Sequence, residues 1–282
     1  MIHFDTIGLA VAFSPTATAM LAEAQRLAVY FKSKLVLIHV GARSPEVEQR
    51  MDALLKAAGV GESGVTILWK SGEPAKQILD ACKSEKIDLL LAGALKKENL
   101  VNHYLGTIAR KILHRAPCSV LMITHPSVEE TPLKNIVVNA EDSPYIEEAI
   151  RVACHWPVAE KPWVHIVREL KLLGLALAAH EQCSEEEYEQ QKQKMIRTEI
   201  ESVEKLLHRI PHNHSKINIK VVSGKAGFEL GRFAERKEAD LLILGAPPRR
   251  FSFISRVFPH DQEYIFNELP CNVLMLQPRK NA

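Results

Sequence analysis

The sequence lacks a long hydrophobic run, a leader-like beginning and a strong excess of charge of either sign. Its longest apolar stretch, residues 172–179, is far shorter than the roughly 18 residues that a membrane-spanning helix needs. The first residues lead directly into a strand-like segment, without the basic and apolar regions of an export signal. A formal net charge of +2, with Lys and Arg dispersed, gives no electrostatic case for nucleic acid. We therefore expect a cytoplasmic protein with no membrane and no nucleic-acid partner.

Cysteine is also sparse, and its pattern argues against a disulfide-stabilised protein and against a zinc protein. The five cysteines are odd in number and include no C-x-x-C pair, so neither a disulfide framework nor a zinc site is indicated. Cys118 and Cys271 each follow a proline and precede an apolar strand, and we expect buried structural thiols. His208, His212 and His214 lie close together, but a proline at position 211 breaks the helix between the first two, so we predict no metal site.

The sequence does contain an internal repeat. Residues 71–94 read SGEPAKQILDACKSEKIDLLLAGA and residues 223–246 read SGKAGFELGRFAERKEADLLILGA, aligned without a gap at an offset of 152. RAPCSVLMI at 115–123 is matched by ELPCNVLML at 268–276. Duplication of one fold explains both matches. We therefore predict two domains, residues 1–126 and 127–282, joined by an exposed linker near 124–134 that contains two prolines and two glutamates.

Each half alternates apolar strands with helical segments. In the first half we predict strands at 6–13, 35–40, 65–69, 88–92 and 119–124, and helices at 15–31, 46–58, 74–84 and 107–115. Ser14-Pro15 and Ser143-Pro144 have the residue types of helix starts, a capping hydroxyl followed by proline. Five strands separated by helices predict a parallel sheet covered on both faces. The fold class is therefore α/β, with two tandem, doubly wound domains.

The second half is longer than the first between its first and third strands. The offset between the halves grows from 129 at Ser14 and Ser143 to 152 at Ser71 and Ser223, which places an insertion of 23 residues within 169–210. Inside it, a serine at 184 and a glutamate at 187 form a capping-box pattern ahead of a long amphipathic helix. The apolar segment LKLLGLALAA follows the second strand and is a candidate lid, subunit contact or pocket wall.

The loop after the fourth strand carries the best candidate site. Gly93 ends that strand, and Gly106 and Thr107 begin the next helix. Glycine lets a ligand approach the backbone closely, and a helix N-terminus offers amides and a favourable dipole to an anion such as phosphate. The spacing alone is a weak signal, because a strand-loop-helix corner can need glycine for its own backbone.

The IDLLLAG strand, the interval to Gly-Thr and the closing APCSVLMI strand resemble the universal stress protein family, and two copies resemble its tandem members. The resemblance covers nearly the whole chain except the insertion. It implies adenine nucleotide alpha hydrolase-like domains whose final strands, SVLMIT and NVLMLQ, pair with each other, and a role in stress response. In nucleotide-binding members Gly-x2-Gly-x9-Gly-Ser/Thr holds the ribose and phosphates of ATP. The binding residues implied here are Val40, Gly93, Lys96, Gly106, Thr107 and Ile108, with Val40 against the adenine.

Two positions in the first half depart from the family pattern. Lys96 replaces the second glycine, and Ala12 replaces the Asp that contacts the nucleoside. Loss of that acceptor leaves a polar group of the ligand unpaired, at a cost of ~1–3 kcal/mol. In the second half, the motif positions are occupied by Pro248, Phe258 and Pro259. We therefore expect ATP or another adenine nucleotide, with or without magnesium, in the first half only.

Three functions are compatible with the sequence. The first is binding of an adenine nucleotide by the first half, which would report energy status to a protein partner. The second is an interaction module, or a carrier of a small apolar ligand, that uses the insertion of the second half. The third is a slow ATPase, for which no catalytic residue is identified. The tandem chain would form an intramolecular pseudo-dimer, and homodimerisation is left open.

Overall fold

The structure is a computed structural model of the 282-residue chain. It describes residues 4–61, 64–96, 103–141, 143, 145–156, 161–170, 184–212, 216–225, 227–246 and 260–277.

Strands and helices alternate through the first half. Its strands are β1 (Thr6–Ala10), β2 (Lys34–Val40), β3 (Val65–Lys70), β4 (Leu89–Gly93), the short β5 (Leu95–Lys96) and β6 (His103–Tyr104), and β7 (Ser119–Ile123). Its helices are α1 (Ala17–Phe31), α2 (Pro45–Ala57), α3 (Pro74–Ser84) and α4 (Thr107–Arg115). The strands and helices predicted for this half are confirmed with small shifts of their bounds, and β5 and β6 form an additional hairpin between β4 and α4.

The second half repeats this order with a longer connection. Its strands are β8 (Asn135–Asn139), β9 (Trp163–Leu170), β10 (Lys216–Ser223), β11 (Leu241–Gly245) and β12 (Asn272–Leu276). Its helices are α5 (Ile146–Cys154), α6 (Glu185–Leu207), α7 (Phe228–Arg236) and α8 (His260–Asn267). Helix α6 is the helix predicted for the insertion, and its capping box of Ser184 and Glu187 is confirmed. The apolar segment that precedes it lies outside the described residues.

The two halves share one ten-stranded sheet. The strand order is β10-β9-β8-β11-β12-β7-β4-β1-β2-β3, and all neighbours are parallel except β12 and β7, which are antiparallel. Each half therefore contributes five parallel strands, which confirms the α/β, doubly wound fold, and the implied pairing of the two final strands is also confirmed. The limits of the two domains, 1–126 and 127–282, stay a prediction.

Similar hydrogen bonds lie at both ends of the central strand pair, β7 and β12. At one end the Gln277 backbone N–H donates to Ser119 Oγ at 3.0 Å. At the other end the Thr124 backbone N–H donates to Asn272 Oδ1 at 2.9 Å. Ser119 and Asn272 occupy equivalent positions, the first residue of β7 and of β12. The register between the halves is thus fixed by side chains as well as by the strand ladder.

Helices cover both faces of this sheet. Buried residues of α1, α2, α5 and α6 form one apolar cluster, and those of α3, α4, α7 and α8 form the other. Within β4, Leu89 and Leu91 belong to the first cluster and Leu90 belongs to the second. A strand buried on both faces reads as a continuous apolar run, and each fully buried leucine contributes roughly 1.5–3 kcal/mol. This is why the IDLLLAG segment has no polar alternation.

The predicted role of two serines at helix starts is wrong. Helix α1 begins at Ala17, its N-cap residue is Thr16, and no side chain makes the capping bond. Ser14 Oγ instead lies 3.2 Å from Thr16 Oγ1. In the second half Ser143 Oγ accepts from the Tyr145 backbone N–H at 3.2 Å, one residue before α5 begins. Both hydroxyls therefore act within the loop that enters the helix.

The described cysteines behave as the sequence predicts. Cys118 and Cys271 are both buried. Burial raises the pKa of the Cys271 thiol, and a hydrogen bond with Cys118 together with burial raises the pKa of Cys82. Thiols with raised pKa values carry little thiolate and are unreactive. Buried structural thiols are thus confirmed at these positions.

Metal-binding clusters and membrane-spanning helices are both absent from the part of the chain that the structure describes. Within it, no group of three or more His, Cys, Asp or Glu side chains is placed to hold a metal ion. No described helix combines the length and the apolar character needed to cross a bilayer. Of the histidines near the end of α6, His212 Nδ1 lies 2.7 Å from the Ile210 carbonyl oxygen, and His214 lies outside the described residues.

Candidate functional site

The candidate site lies at the carboxyl edge of the first half's strands. Strands β1 and β4 are neighbours there, with Leu9 paired to Leu91, so Ala12 and Gly93 follow adjacent strand ends. In open sheets of parallel strands, ligands bind outside this edge, where helices begin. The topology thus brings the loop after β1 and the loop after β4 to the same place.

Gly93 and Gly106 border a short path from β4 to α4. Gly93 is exposed, and a Cβ built there would lie 3.6 Å from Met20 Sδ, an ordinary contact. Gly106 is the N-cap of α4 with φ −66°, a value open to any residue, so its backbone does not require glycine. A Cβ at Gly106 would lie 2.7 Å from Leu95 Cδ1. Leu95 is 50% exposed and Cδ1 is the end of its flexible side chain, so it could move aside for a Cβ at this position.

The N-terminal turn of α4 has features that favour binding of an anion. Thr107 and Ile108 are both exposed, and Ile108 retains 44% of its accessible surface. The first turn of α4 contains no acidic residue, and no side chain makes the capping hydrogen bond at Gly106. Within its own first turn, α4 therefore has no carboxylate that would neutralise the partial positive charge of the helix N-terminus.

Two of the residues implied by the family resemblance lie apart from that turn. Lys96 stands in β5, where its backbone pairs with His103 of β6. Val40 ends β2, is half-buried and packs on the apolar cluster that faces α3 and α4. Strands β2 and β4 are separated by β1, so Val40 and Gly93 end strands about 10 Å apart. The structure places Gly106, Thr107 and Ile108 at the start of α4, with Gly106 beside Leu95, two residues after Gly93, and it places Val40 further along the same edge.

An aromatic cluster, which sequence reasoning missed, lies at the ends of β1, β2 and β3. The ring centroids of Phe13 and His39 are 4.9 Å apart, and those of His39 and Trp69 are 5.4 Å apart. The Arg50 guanidinium lies 4.5 Å from the Phe13 ring centroid, and that of Arg43 lies 5.6 Å from the Trp69 ring. All three rings are half-buried. Each ring stands at or just after the end of a strand, and that shared position is the signal that could have revealed the cluster.

The backbone holds the central ring of this cluster in place. His39 Nδ1 lies 3.1 Å from the Val11 carbonyl oxygen, and because a carbonyl oxygen only accepts, Nδ1 is the donor. A Cβ at Gly41 would lie 2.8 Å from His39 Nε2. The absence of a side chain at Gly41 therefore leaves room for the imidazole.

The equivalent edge of the second half is filled by internal polar contacts. Arg168 occupies the position of His39 and is buried, and its Nη1 donates to the Ala140 carbonyl, the counterpart of the Val11 carbonyl. Arg168 Nε also pairs with Glu199 Oε2 of α6 at 2.6 Å. Glu169, the counterpart of Val40, accepts from the Gly227 backbone N–H at 2.7 Å.

The strand end that corresponds to Gly93 is also more crowded in the second half. A Cβ at Gly245 would lie 3.1 Å from Ser143 Oγ, against 3.6 Å for the nearest atom at Gly93. The residues predicted to replace the phosphate motif here, Pro248, Phe258 and Pro259, lie outside the described residues. The described contacts nevertheless show that the loop after β8 lies closer to its glycine than the loop after β1 does.

Part of the first half is similar in sequence to a known protein family. Residues 41–124, which include Gly93, Gly106 and Thr107, match the model of the universal stress protein family. The first half of the chain therefore carries a match to this family. Universal stress protein Sll1388 of Synechocystis is 28% identical over 95 residues, which are 33% of this chain and 60% of the relative. Universal stress protein MJ0531 of Methanocaldococcus jannaschii is 32% identical over 85 residues, 29% of this chain and 50% of that protein. The chain thus spans about half to three fifths of the length of these relatives.

Solved structures extend the likeness in fold to the whole chain. A putative universal stress protein from Pseudomonas aeruginosa UCBPP-PA14 aligns with a TM-score of 0.64 at 17% identity, over 98% of this chain and 94% of that one. A universal stress protein from Archaeoglobus fulgidus DSM 4304 aligns with a TM-score of 0.60 at 12% identity, over 98% and 99% of the two chains. At such identities the likeness concerns the fold alone. The similarity in fold therefore extends beyond the residues that the family model matches.

Proposed function

We propose that the first half of this universal stress protein binds an adenine nucleotide, and that the second half does not bind one in the same way. The observation that carries the proposal is the start of α4, where Gly106 and Thr107 follow Gly93 across a short hairpin at the carboxyl edge of the sheet. The uncapped first turn has the electrostatic character that a phosphate requires. Gly93, Gly106, Thr107 and Ile108 would contact the phosphates and ribose.

The aromatic cluster supports a place for the nucleoside. Phe13, His39 and Trp69 are half-buried at the ends of β1–β3, and a planar base stacks favourably on such rings, by about 1–3 kcal/mol per base. The guanidinium groups of Arg43 and Arg50 lie against the Trp69 and Phe13 rings and place positive charge beside the cluster. Neighbouring strands lie about 4.8 Å apart, so the way from β2 to β4 is about 10 Å, within the reach of an extended nucleotide. Val40 packs on the other face of the sheet, with α3 and α4, and is proposed as a base contact on the family resemblance alone.

The missing carboxylate limits the expected affinity. Ala12 is exposed in the loop after β1, where an Asp would accept from the nucleoside. Stacking by the rings offsets part of this loss, because base stacking and one lost hydrogen bond are of similar size. We therefore propose weak to moderate binding of ATP or a related nucleotide, with magnesium bound through the phosphates where it is present. Lys96 is proposed as a phosphate contact on its position in β5 alone.

The variant Thr107→Pro tests this proposal. Thr107 is the first residue of α4, and the preceding Gly106 has φ −66° and ψ 165°, a backbone conformation compatible with a following proline. Proline is well tolerated at the first position of a helix, but it removes the amide and the hydroxyl that a phosphate would use. In the intact protein, ATP at 100 times its Kd should raise the free energy of unfolding by ~2.7 kcal/mol, and the variant should lose most of that increase.

The matched control is Glu185→Pro at the first position of α6, which follows an N-cap with similar angles of φ −69° and ψ 158°. It makes the same backbone change away from the site, and it should keep the full response to ATP. Unfolding in urea with and without ATP and magnesium measures both variants. An equal response in Thr107→Pro and the unaltered protein would contradict the proposed site, and no response in the unaltered protein would favour the interaction-module alternative.

A catalytic role is not part of the proposal. Slow hydrolysis of ATP is an alternative that release of phosphate over hours would reveal, provided that Thr107→Pro abolishes it. The stress that the protein answers, its cytoplasmic location and its protein partner stay predictions from the sequence and the family. A carrier role for the insertion also stays a prediction, because the segment before α6 lies outside the described residues.

A further inference from the structure

A cavity of about 870 Å³ lies between the two halves, on the face of the sheet that α1 covers. It is bordered by α1, by the linker after β7, and by the beginnings of β11 and β12. Its volume falls in the range of 300–1,000 Å³ that is usual for small-molecule sites, which favour interfaces between domains. The nucleotide proposal makes no use of this cavity.

The inner surface of the cavity is apolar. Leu121 and Leu241 of the sheet form its floor, and both are almost completely buried. Leu27 of α1, Leu133 of the linker and Trp156 after α5 form its walls. Trp156 is 7% exposed and contacts Phe31 edge to face at 6.3 Å between ring centroids. A ligand that entered would therefore bury an apolar body against leucine and tryptophan side chains.

The rim of the cavity is negatively charged. The lining side chains include four carboxylates and a single guanidinium, which give a formal charge of −3. The four carboxylates belong to Glu23, Glu130, Glu238 and Asp240.

Two of these carboxylates are already engaged. Glu23 Oε2 lies 2.9 Å from Arg26 Nη2, and Asp240 Oδ2 accepts from the backbone amides of residues 134 and 135. Glu130 and Glu238 are both exposed, and neither forms an ion pair with another residue of the described ranges. These two carboxylates are therefore the ones available to a ligand.

The linker is fastened across α1, so the cavity is formed without a ligand. Arg26 donates from Nη1 to the Val128 carbonyl and from Nη2 to the Ser127 carbonyl, both at 2.7 Å. The Ser127 backbone N–H donates to Glu23 Oε1 at 3.3 Å. These bonds occupy the one guanidinium that an anionic ligand would need, and they leave the exposed carboxylates at the rim.

We propose that this cavity binds a small organic cation with an apolar body, such as an alkyl or aryl amine. The apolar part fills the space between Leu27, Leu133 and Trp156, and the ammonium group lies at the rim beside Glu130 and Glu238. The ligand contacts both halves of the chain at once. An apolar anion such as a fatty acid is disfavoured by the charge of the rim.

Three probes with the same apolar chain test this inference: n-octylamine, octanoate and 1-octanol. Calorimetric titration of the full chain at pH 7.5 should show saturable binding of octylamine and a rise in Tm. Octanol should bind at least tenfold more weakly, because it lacks the charge, and octanoate should not bind measurably. Equal binding of octanoate, or the absence of saturable octylamine binding, would overturn the proposal.

Two variants locate the site. The double variant Glu130→Gln with Glu238→Gln should weaken octylamine binding about tenfold or more, and Thr131→Trp should block it by filling the cavity from the exposed linker. Glu46→Gln with Glu189→Gln, two exposed carboxylates on α2 and α6, is the matched control and should bind normally. Circular dichroism checks that each variant is folded. Octylamine binding that survives both cavity variants would refute the location, whereas the response to ATP should be unchanged throughout.

Discussion

The two halves share a sheet order and differ at its carboxyl edge. In the first half His39 makes one hydrogen bond to the backbone, at the Val11 carbonyl just after β1, and it packs among half-buried rings. In the second half Arg168 takes the same position, bonds the equivalent carbonyl and adds an ion pair to α6 through Glu199. The second half uses polar side chains at this edge to hold an inserted helix, and the first half places half-buried rings there.

This difference shows where a duplicated fold is free to change. The buried residues of β4 and β11 are nearly interchangeable, LLLAG against LLILG, because both strands are covered on both faces. Exposed loop residues further from the strand ends, such as Ala12, are not part of that core, so their chemistry can change without loss of the fold. We therefore expect differences in function between the halves to arise in the loops at the carboxyl edge, whereas the shared fold keeps the strands alike.

The largest expected effect comes from Arg168→Leu, which breaks the contact that distinguishes the second half. Its side chain is 10% exposed, and its partner Glu199 is 29% exposed, so the substitution leaves a partly buried carboxylate and a buried carbonyl without their donor. Loss of one partner of a buried pair costs 3–5 kcal/mol, and because Glu199 keeps some contact with water we expect about 3 kcal/mol. Urea unfolding followed by circular dichroism measures this change.

Two comparisons make that result informative. His39→Leu in the first half should cost only about 1 kcal/mol, since a single hydrogen bond is lost. Arg209→Leu, which removes a surface pair with Glu147 whose side chains are 62% and 41% exposed, should cost less than about 1 kcal/mol. Equal losses for Arg168→Leu and His39→Leu would mean that the edge of the second half is not held by its ion pair.

Substitutions at the central strands should affect the two halves alike. Ser119→Ala and Asn272→Ala each remove a side chain that satisfies a backbone amide at the end of the neighbouring strand. We expect a loss of about 1 kcal/mol for each, because each breaks hydrogen bonds in a part-buried place. Thermal unfolding of both variants measures the losses, with Ser84→Ala on the α3 surface as the control. A loss of stability in only one of the two variants would show that the two contacts contribute unequally to the interface between the halves.

The sequence predicted the elements of this fold better than the contacts of its site. Apolar runs bounded by glycine and proline located the strands, since burial on two faces leaves a local signal. The family resemblance predicted the pairing of β7 with β12. In contrast, the contact of His39 with Trp69, and of Arg168 with Glu199, depends on which distant segments become neighbours, and no local pattern encodes that. The helix start at Ala17 was misjudged because a serine followed by proline also suits the loop before a helix.

The smallest expected effect concerns a buried histidine where the first half has a valine. His165 corresponds to Val36, and both are buried. Asn218 Nδ2 lies 3.0 Å from His165 Nδ1, and His165 Nε2 lies 3.3 Å from Asn135 Oδ1, so the neutral ring accepts at one nitrogen and donates at the other. Burial lowers the pKa of His165, and the charge of Lys237 lowers it further. The folded state therefore favours the neutral ring.

The sign of the pH dependence follows from linkage. Because the folded pKa lies below the unfolded value near 6.5, the unfolded chain takes up the proton first as the pH falls. The contribution of His165 is therefore present above about pH 6.5 and declines below it, at no more than about 1.4 kcal/mol per pH unit. Urea unfolding between pH 7.5 and 5 should show this decline, and His165→Val should flatten it, whereas the exposed His155→Gln should not. An unchanged slope in His165→Val would mean that other groups set the acid sensitivity of the second half.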